Sequence, residues 1–179
     1  MNSKVFTLVR IALVAAIMCI LGPISFNIPI SDVPISLGVL AVFLGAYVNG
    51  WKLGMASCLL YVLIGLAGLP VFSNFTGGAA KLFGPTGGYI VGYFFIALIA
   101  GLFIEKFEKK FYMHAIGMVL GTICCYTLGT AWFCFQSGTE VGAALMLCVI
   151  PFIPADIIKM ILAIAIGIPV RDAVKKINR

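Results

Sequence analysis

The stretch that decides the fold is residues 69–89, LPVFSNFTGGAAKLFGPTGGY, which interrupts long apolar runs on both sides. It contains two Gly-Gly pairs, beginning at Gly77 and Gly87, and a Gly-Pro dipeptide at Gly84. Such residues supply backbone angles that others resist and let the backbone approach a ligand closely. The stretch also carries aromatic side chains, and an irregular apolar segment between membrane helices is tolerated only where it packs on protein or lines a cavity. We interpret it as a lid over a small-molecule pocket; the alternative is a tightly folded structural connector.

The composition is that of a membrane protein. Hydrophobic residues make up 63% of the chain, charged residues make up 10%, and the mean hydropathy is +1.17, whereas soluble domains carry about 25% charged residues. Apolar runs of about twenty residues recur, which is the length that a spanning helix needs. We predict an all-α membrane protein, a single domain whose bundle of six transmembrane helices holds a substrate pocket at its extracellular side. The predicted spans are 5–24, 36–50, 52–69, 87–104, 113–134 and 142–168. Pro151 and Pro154 should bend the last span or delay its start.

The charges lie mainly at the ends of alternate spans. Ten of the twelve Lys and Arg residues lie at the two termini or in the second and fourth connections. They are Lys4, Arg10, Lys52, Lys106, Lys109, Lys110, Arg171, Lys175, Lys176 and Arg179. The opposite connections hold Asp32, Lys81 and Glu140. The positive-inside rule therefore predicts a cell-membrane protein with cytoplasmic N- and C-termini and the glycine-rich stretch outside. These flanks account for the net charge of +6, so no nucleic-acid partner is needed; the partner that they imply is membrane lipid.

Asp156 and Lys159 are the only ionisable residues of opposite sign well inside a predicted span. Their i, i+3 spacing places both on one helix face. Each costs about 2.5–3.5 kcal/mol to insert into a bilayer, and such residues usually face an interior cavity. The prolines just before them free backbone carbonyls, a recurring feature of transporter sites. We interpret the pair as a polar anchor for a substrate; the alternative is a self-neutralising pair that only fixes helix packing.

The segment 29–36, between the first two spans, is predicted to be an extended, hairpin-like arm, because its proline spacing and β-branched residues disfavour helix. The arm is the natural neighbour of the glycine-rich stretch, so the two are expected to close one pocket. Polar and aromatic side chains that could line the pocket are Tyr89, Tyr93, Trp132, Phe135 and Gln136. Trp132 and Gln136 could equally be membrane-interface residues.

The sequence contains few of the residue patterns that catalysis or metal binding requires. The chain has no phosphate-binding P-loop, no His-Glu-x-x-His helix and no Ser/His/Asp set, and its six cysteines show no Cys-x-x-Cys spacing. We therefore expect no catalytic residue, no metal and no cofactor, and a protein that captures a small solute rather than an enzyme.

Ala12 and Ala16 form a small-xxx-small face near the cytoplasmic half of the first span. Two alanines four residues apart let another helix approach closely. On its own this pattern is common by chance.

Several motifs together resemble the BioY family, the biotin-binding membrane components of energy-coupling factor (ECF) vitamin transporters. The resemblance covers nearly the whole chain. The matching stretches are Gly68–Phe72, Gly77-Gly78, Gly84–Tyr89, Trp132–Gln136 and Ile153–Asp156 with Lys159.

The resemblance implies both substrate and partners. The chain would be the substrate-capture (S) component for biotin, and Ala12 and Ala16 would dock on a transmembrane coupling subunit that sits on two cytoplasmic ATPases. An S component for another vitamin, thiamin or riboflavin, and a solitary biotin transporter acting as a homo-oligomer remain the alternatives.

The resemblance also implies roles for side chains. Asp156 would accept the ureido N–H groups of biotin, and Lys159 would keep Asp156 ionised and donate to the ureido carbonyl. Aromatic rings suit the thioether ring, and loop groups would meet the remaining ureido and carboxylate atoms. The expected aromatic residues are Phe72, Tyr89 and Trp132, and the expected polar and loop residues are Asn74, Thr76, Gly77, Gly78, Lys81 and Gln136.

The sequence departs from the family pattern at two places. Gly38 stands where relatives often carry a glutamine, and Ile90-Val91 stand where some carry an arginine. The partner of the biotin carboxylate is therefore left open, with Lys81 or glycine N–H groups as the candidates.

Overall fold

The computed structural model describes residues 3–29, 31 and 33–177. Asp32 and Arg179, which entered the charge argument, lie outside the described residues. The helices are α1 (Ser3–Leu21), α2 (Gly38–Leu66), α3 (Ala79–Leu82), α4 (Gly87–Lys106), α5 (Phe111–Ser137), α6 (Val141–Cys148) and α7 (Ile153–Ile177). Two strands, β1 (Ser25–Phe26) and β2 (Ile35–Ser36), form an antiparallel pair.

Helix α2 reverses direction at Gly50, whose φ of 66° and ψ of −166° interrupt the helical backbone. A β carbon on Gly54 would lie 4.0 Å from the carbonyl oxygen of Gly45. In a continuous helix, residues nine apart are about 13.5 Å apart along the axis. The segments 38–49 and 51–66 therefore form a helical hairpin.

Counting the two halves of α2 separately and α6 with α7 as one stretch, the described residues form six helical stretches in the bundle. Within the described residues, five helical stretches are long and apolar enough to cross a membrane, and the whole of α2 is one of them. The hairpin at Gly50 divides that stretch into two. The predicted all-α membrane bundle is confirmed.

Several boundaries differ from the predicted spans. Helix α1 ends at Leu21 rather than at 24, because Pro23 has no N–H to continue the helix. The predicted span 142–168 is two helices: α6 ends at Cys148, a 3₁₀ turn covers Ile150–Phe152, and α7 continues to Ile177. Pro154 lies in the first turn of α7, where its missing N–H costs little.

Helix α4 lies at the centre of the bundle and packs mainly against α5 and α2. A β carbon on Gly92 of α4 would lie 2.4 Å from Cys125 Sγ of α5, so glycine permits this close approach. The fully buried side chains include Phe43, Ile96 and Met118. Helices α5 and α7, by contrast, touch only slightly.

The two ends of the bundle differ in chemistry. One end, here called the loop end, carries the glycine-rich loop (residues 67–86) and the arm. In the structure the arm comprises the described residues between 22 and 37, rather than only the predicted 29–36, and it contains β1 and β2. The other, the charged end, carries the Gly50 turn and the connection between α4 and α5. There Arg171 donates to Ile104 O at 2.7 Å and to Glu108 Oε1 at 3.0 Å.

Candidate functional site

A cavity of about 60 Å³ lies near the loop end, beneath the arm. Five elements supply its walls: the arm residues 33–36, Val39 at the start of α2, the first turns of α4, the middle of α5, and the start of α7 with the turn before it. The helical residues that face it include Tyr89, Tyr93, Cys125, Tyr126, Phe152, Asp156 and Lys159.

An ion pair forms the polar wall of this cavity. Lys159 Nζ lies 2.8 Å from Asp156 Oδ1, and the two residues are 5% and 4% exposed. Tyr126 donates its hydroxyl proton to Asp156 Oδ2 at 2.6 Å. Both carboxylate oxygens thus have a donor, as a buried charge requires. Asp156 also lies in the first turn of α7, where the helix dipole favours negative charge.

The arm forms the opposite, largely apolar wall. Val33, Pro34 and Ile35 face the cavity. Ser36 donates to Gly22 O at 2.7 Å and accepts a hydrogen bond from Gly38 N at 2.9 Å, which fixes the end of the arm at the start of α2. The site therefore offers a carboxylate, an ammonium group and a hydroxyl on one side and aliphatic surface on the other. This arrangement suits a small ligand with a compact polar head and an apolar body.

Of the eleven side chains and glycines predicted to bind substrate, the structure brings three together here: Asp156, Lys159 and Tyr89. The Tyr89 hydroxyl pairs with Thr130 Oγ1 at 3.1 Å. The remaining eight do not line this cavity.

Six of those eight belong to the glycine-rich loop, and four of the six contact other loop residues or α2. Phe72 is fully buried, with its ring edge-on to Tyr61 at 5.5 Å between centroids. Thr76 donates to Ser73 O at 2.7 Å. A β carbon on Gly77 would lie 2.2 Å from Leu69 O, and Gly78 N donates to Gly65 O at 2.7 Å.

Trp132 and Gln136 hold the glycine-rich loop against α5. Trp132 Nε1 donates to Gly84 O at 2.9 Å and Gln136 Nε2 to Phe83 O at 3.0 Å. Lys81 lines a separate cavity of about 400 Å³ between the loop and the end of α5. Burial lowers the pKa of Lys81, and among the described residues no carboxylate forms an ion pair with it.

Asn74 joins the loop to the arm. Its Oδ1 accepts a proton from Ser25 Oγ at 2.7 Å, and its Nδ2 donates to Asn27 Oδ1 at 3.0 Å. Its φ of 60° is left-handed, a conformation that asparagine tolerates better than most residues. The arm and the loop thus meet, but the arm covers the Asp156 cavity and the loop braces the arm.

Sequence reasoning missed Tyr126. A tyrosine in the middle of an apolar helix must find a partner for its hydroxyl, and this was the available signal. Which partner it finds depends on how α5 is rotated against α7.

The two alanines predicted to contact a partner are exposed on α1. They lie in a row with Leu8 and Ile20, spaced four residues apart, and all four face away from the bundle.

Comparison with known proteins gives one consistent result. A model of the BioY family matches residues 1–176. The biotin transporter BioY2 of Lactococcus lactis subsp. cremoris is 35% identical over 99% of this chain and 97% of its own length. The biotin transporter BioY of Thermotoga maritima is 42% identical over 79% of this chain and 83% of its own.

A solved structure agrees with these relatives. The crystal structure of the S-component for biotin from an ECF-type ABC transporter superposes with a TM-score of 0.88 at 32% identity. The match covers 96% of this chain and 93% of the other.

Proposed function

This chain belongs to the BioY family, and we propose from that membership and from the Asp156 cavity that it captures biotin for uptake as the S component of an ECF transporter. It is a multi-pass membrane protein, and its relatives are biotin transporters rather than enzymes. The observation that carries the proposal is the buried ion pair of Asp156 and Lys159, with both partners facing the same cavity.

The chemistry of biotin matches this wall. Its ureido ring has two N–H donors and one carbonyl, and Asp156 supplies a carboxylate that accepts charge-assisted hydrogen bonds. Lys159 has three N–H donors, of which Asp156 takes one, so the ammonium group can also donate to the ureido carbonyl. The aliphatic arm and the Tyr89 ring suit the thioether ring.

Lys81 is the proposed partner of the biotin carboxylate. It is half-buried, without an ion-pair partner among the described residues, so meeting an anion would offset the cost of its burial. Gly78 N is already bonded to Gly65 O, which makes Lys81 the better candidate. The roles expected of Asn74, Thr76, Gly77, Phe72, Trp132 and Gln136 in ligand contact stay predictions; their contacts support an indirect role in bracing the arm and the loop.

The test is isothermal titration of biotin into the purified chain without partners. We expect one-to-one binding that Asp156→Asn abolishes, because the amide NH₂ would face the ureido N–H groups. Asp172→Asn is the matched control: the same substitution on the exposed far end of α7 should leave the affinity unchanged.

Three results would contradict parts of this proposal. Unchanged biotin binding in Asp156→Asn would show that the ion pair is not part of the biotin site. Binding of thiamin or riboflavin in place of biotin would leave the proposed architecture unchanged and overturn the assignment of biotin as the substrate. Loss of binding in Asp172→Asn would show that the assay reports folding rather than the site.

We further propose that the charged end faces the cytoplasm. Arg10, Lys52, Arg171 and Lys175 lie at this end, as the positive-inside rule expects of cytoplasmic loops. A fluorescent-protein fusion at the C-terminus should therefore fluoresce, while an alkaline phosphatase fusion there should be inactive. The reverse pattern would show that the charged end faces the outside of the cell.

The exposed row on α1 is the proposed docking surface for the transmembrane coupling subunit, itself bound to two ATPases. Ala12→Trp or Ala16→Trp should abolish co-purification with that subunit and leave biotin binding intact, since both alanines face away from the cavity. Ile161→Trp, at another exposed position on the outer surface of a helix, α7, is the control. Unchanged co-purification in both alanine variants would place the docking surface elsewhere. No co-purification in the parent chain would favour a solitary biotin transporter acting as a homo-oligomer.

A further inference from the structure

The cavity beside Asp156 is smaller than its proposed ligand requires. Its volume is about 60 Å³, whereas pockets for small organic ligands measure about 300–1,000 Å³. A ligand with a bicyclic ring therefore needs a wall of this cavity to move.

The Tyr126 side chain forms part of the cavity wall, and there is free space on its other side. A cleft of about 390 Å³, here called the lateral cleft, lies between α5 and α7, where these helices touch only slightly. Tyr126 and Asp156 line both the cavity and the lateral cleft. The other side chains around the cleft are apolar except for one.

That exception is Thr122, one turn before Tyr126 on α5. It is 5% exposed, it lines the lateral cleft, and its hydroxyl has no hydrogen-bond partner among the described residues. A buried hydroxyl without a partner is uncommon and calls for an explanation. Long side chains on a helix lean back over the residue four positions earlier, so Thr122 lies in the direction in which the Tyr126 side chain can turn.

We propose that the Tyr126 ring is a movable partition between the substrate cavity and the lateral cleft. When the ligand's N–H groups bind Asp156, the Tyr126 hydroxyl leaves Asp156 Oδ2, the ring turns into the lateral cleft, and the hydroxyl meets Thr122 Oγ1. Cavity and cleft then join into a space of the size that small-molecule pockets have. This inference rests on the proposed capture of a ligand with N–H donors at Asp156.

The test is a double-mutant cycle on biotin affinity. Tyr126→Phe removes the hydroxyl that competes with the ligand for Asp156. Without ligand this loses the charge-assisted bond to Asp156, which is stronger than the bond to Thr122 that is lost in the ligand-bound state. We therefore expect Tyr126→Phe to bind biotin roughly threefold to tenfold more tightly. Thr122→Val removes the second partner of the hydroxyl and should weaken binding by a similar factor in the parent chain.

The decisive comparison is Thr122→Val in the Tyr126→Phe background, where the substitution should have no effect, since phenylalanine makes no bond with Thr122. Thr122→Ser, which keeps the hydroxyl that Thr122→Val removes, should bind biotin with the affinity of the parent chain. Thr127→Val is the matched control: this threonine lies on the same helix, its hydroxyl bonds to Ile123 O, and its loss should not change binding.

Each other outcome overturns the inference. Weaker binding in Tyr126→Phe would make Tyr126 a direct ligand contact rather than a partition. An equal loss from Thr122→Val in both backgrounds would make Thr122 a ligand contact. If the parent binds biotin and both single variants match it, only the partition fails; if the parent binds no biotin, the proposed function and the partition fail together.

Discussion

At the residue scale, the site is a set of buried polar groups that satisfy one another. Asp156 accepts from Lys159 on its own helix and from Tyr126 across the bundle. Breaking one member of a buried ion pair leaves an uncompensated charge, which is costlier than removing both. The pair can therefore serve stability and ligand binding at once, and stability measurements without ligand separate the two.

We predict that Lys159→Met destabilises the chain strongly, by about 3–5 kcal/mol, because it leaves the Asp156 carboxylate buried and unpaired. The double variant Asp156→Asn, Lys159→Met should recover part of this loss, since both charges are gone. Thermal unfolding followed by tryptophan fluorescence in the absence of biotin measures both. A double variant no more stable than Lys159→Met would contradict the proposed coupling.

At the element scale, two connections shape the site: the reversal within α2 and the contact between arm and loop. Gly50 permits the reversal because a side chain resists its backbone angles. A β carbon there would also lie 1.6 Å from Glu105 Oε1, which accepts the Trp51 N–H at 3.3 Å. Glu105 thereby caps the segment 51–66 at its positive end.

We predict that Gly50→Ala lowers stability by about 1–3 kcal/mol, because its backbone conformation is essentially confined to glycine. The matched control is Gly142→Ala in α6, where a β carbon would meet nothing within 4 Å. This substitution should leave stability unchanged or raise it slightly. Thermal unfolding of both variants measures the difference. An unchanged midpoint for Gly50→Ala would argue against the reversal at this residue.

The contact between the arm and the glycine-rich loop depends on Asn74. We predict that Asn74→Gly, which keeps the left-handed backbone but removes two side-chain hydrogen bonds to the arm, speeds the dissociation of biotin up to roughly tenfold. Stopped-flow or surface-based kinetics measures this rate. Gln136→Ala, which removes one of the two side-chain hydrogen bonds that hold the loop against α5 and none of those to the arm, should change the rate less than twofold. Equal effects of both variants would show that the whole loop, rather than its bond with the arm, limits release.

At the scale of the whole molecule, the bundle carries its apolar belt between two chemically distinct ends. At the charged end, Glu108 in the connection between α4 and α5 accepts from Lys175 Nζ at 2.5 Å and from Arg171 on α7. The hydrogen bond from Lys175 and the nearby positive charges lower the pKa of Glu108. These contacts tie the end of α7 to the centre of the bundle.

The lowered pKa of Glu108 makes its contribution depend on pH. The contribution is present in full above the ordinary glutamate pKa, about 4.3, and is lost as pH falls through the lower folded-state pKa. Because Glu108 is exposed, we predict only a small loss of about 1–2 °C in the unfolding midpoint for Glu108→Gln at pH 7. The difference from the parent should shrink as the pH falls through the folded-state pKa of Glu108. A difference that persists in acid would assign the effect to packing rather than to charge.

The sequence by itself determined what can be read along the chain. The apolar runs determined an all-α membrane bundle, because hydropathy and helix length are local properties. The i, i+3 spacing placed Asp156 and Lys159 side by side, and the glycine and proline motifs identified the family before any contact was known. The predicted spans 36–50 and 52–69, with Lys52 between them, correspond to the two halves of α2.

Only the tertiary structure decided which side chains meet across the bundle. Tyr126 reaches Asp156 over a separation of thirty residues, and the arm, rather than the glycine-rich loop, covers the ion pair. Phe72, within the loop, packs against Tyr61 of α2, and Trp132 bonds to the loop, so neither lies beside Asp156. Such contacts depend on the rotation and close approach of helices, which glycines such as Gly92 set through packing. One chain's hydropathy pattern leaves that rotation undetermined, because many rotations bury the same apolar residues.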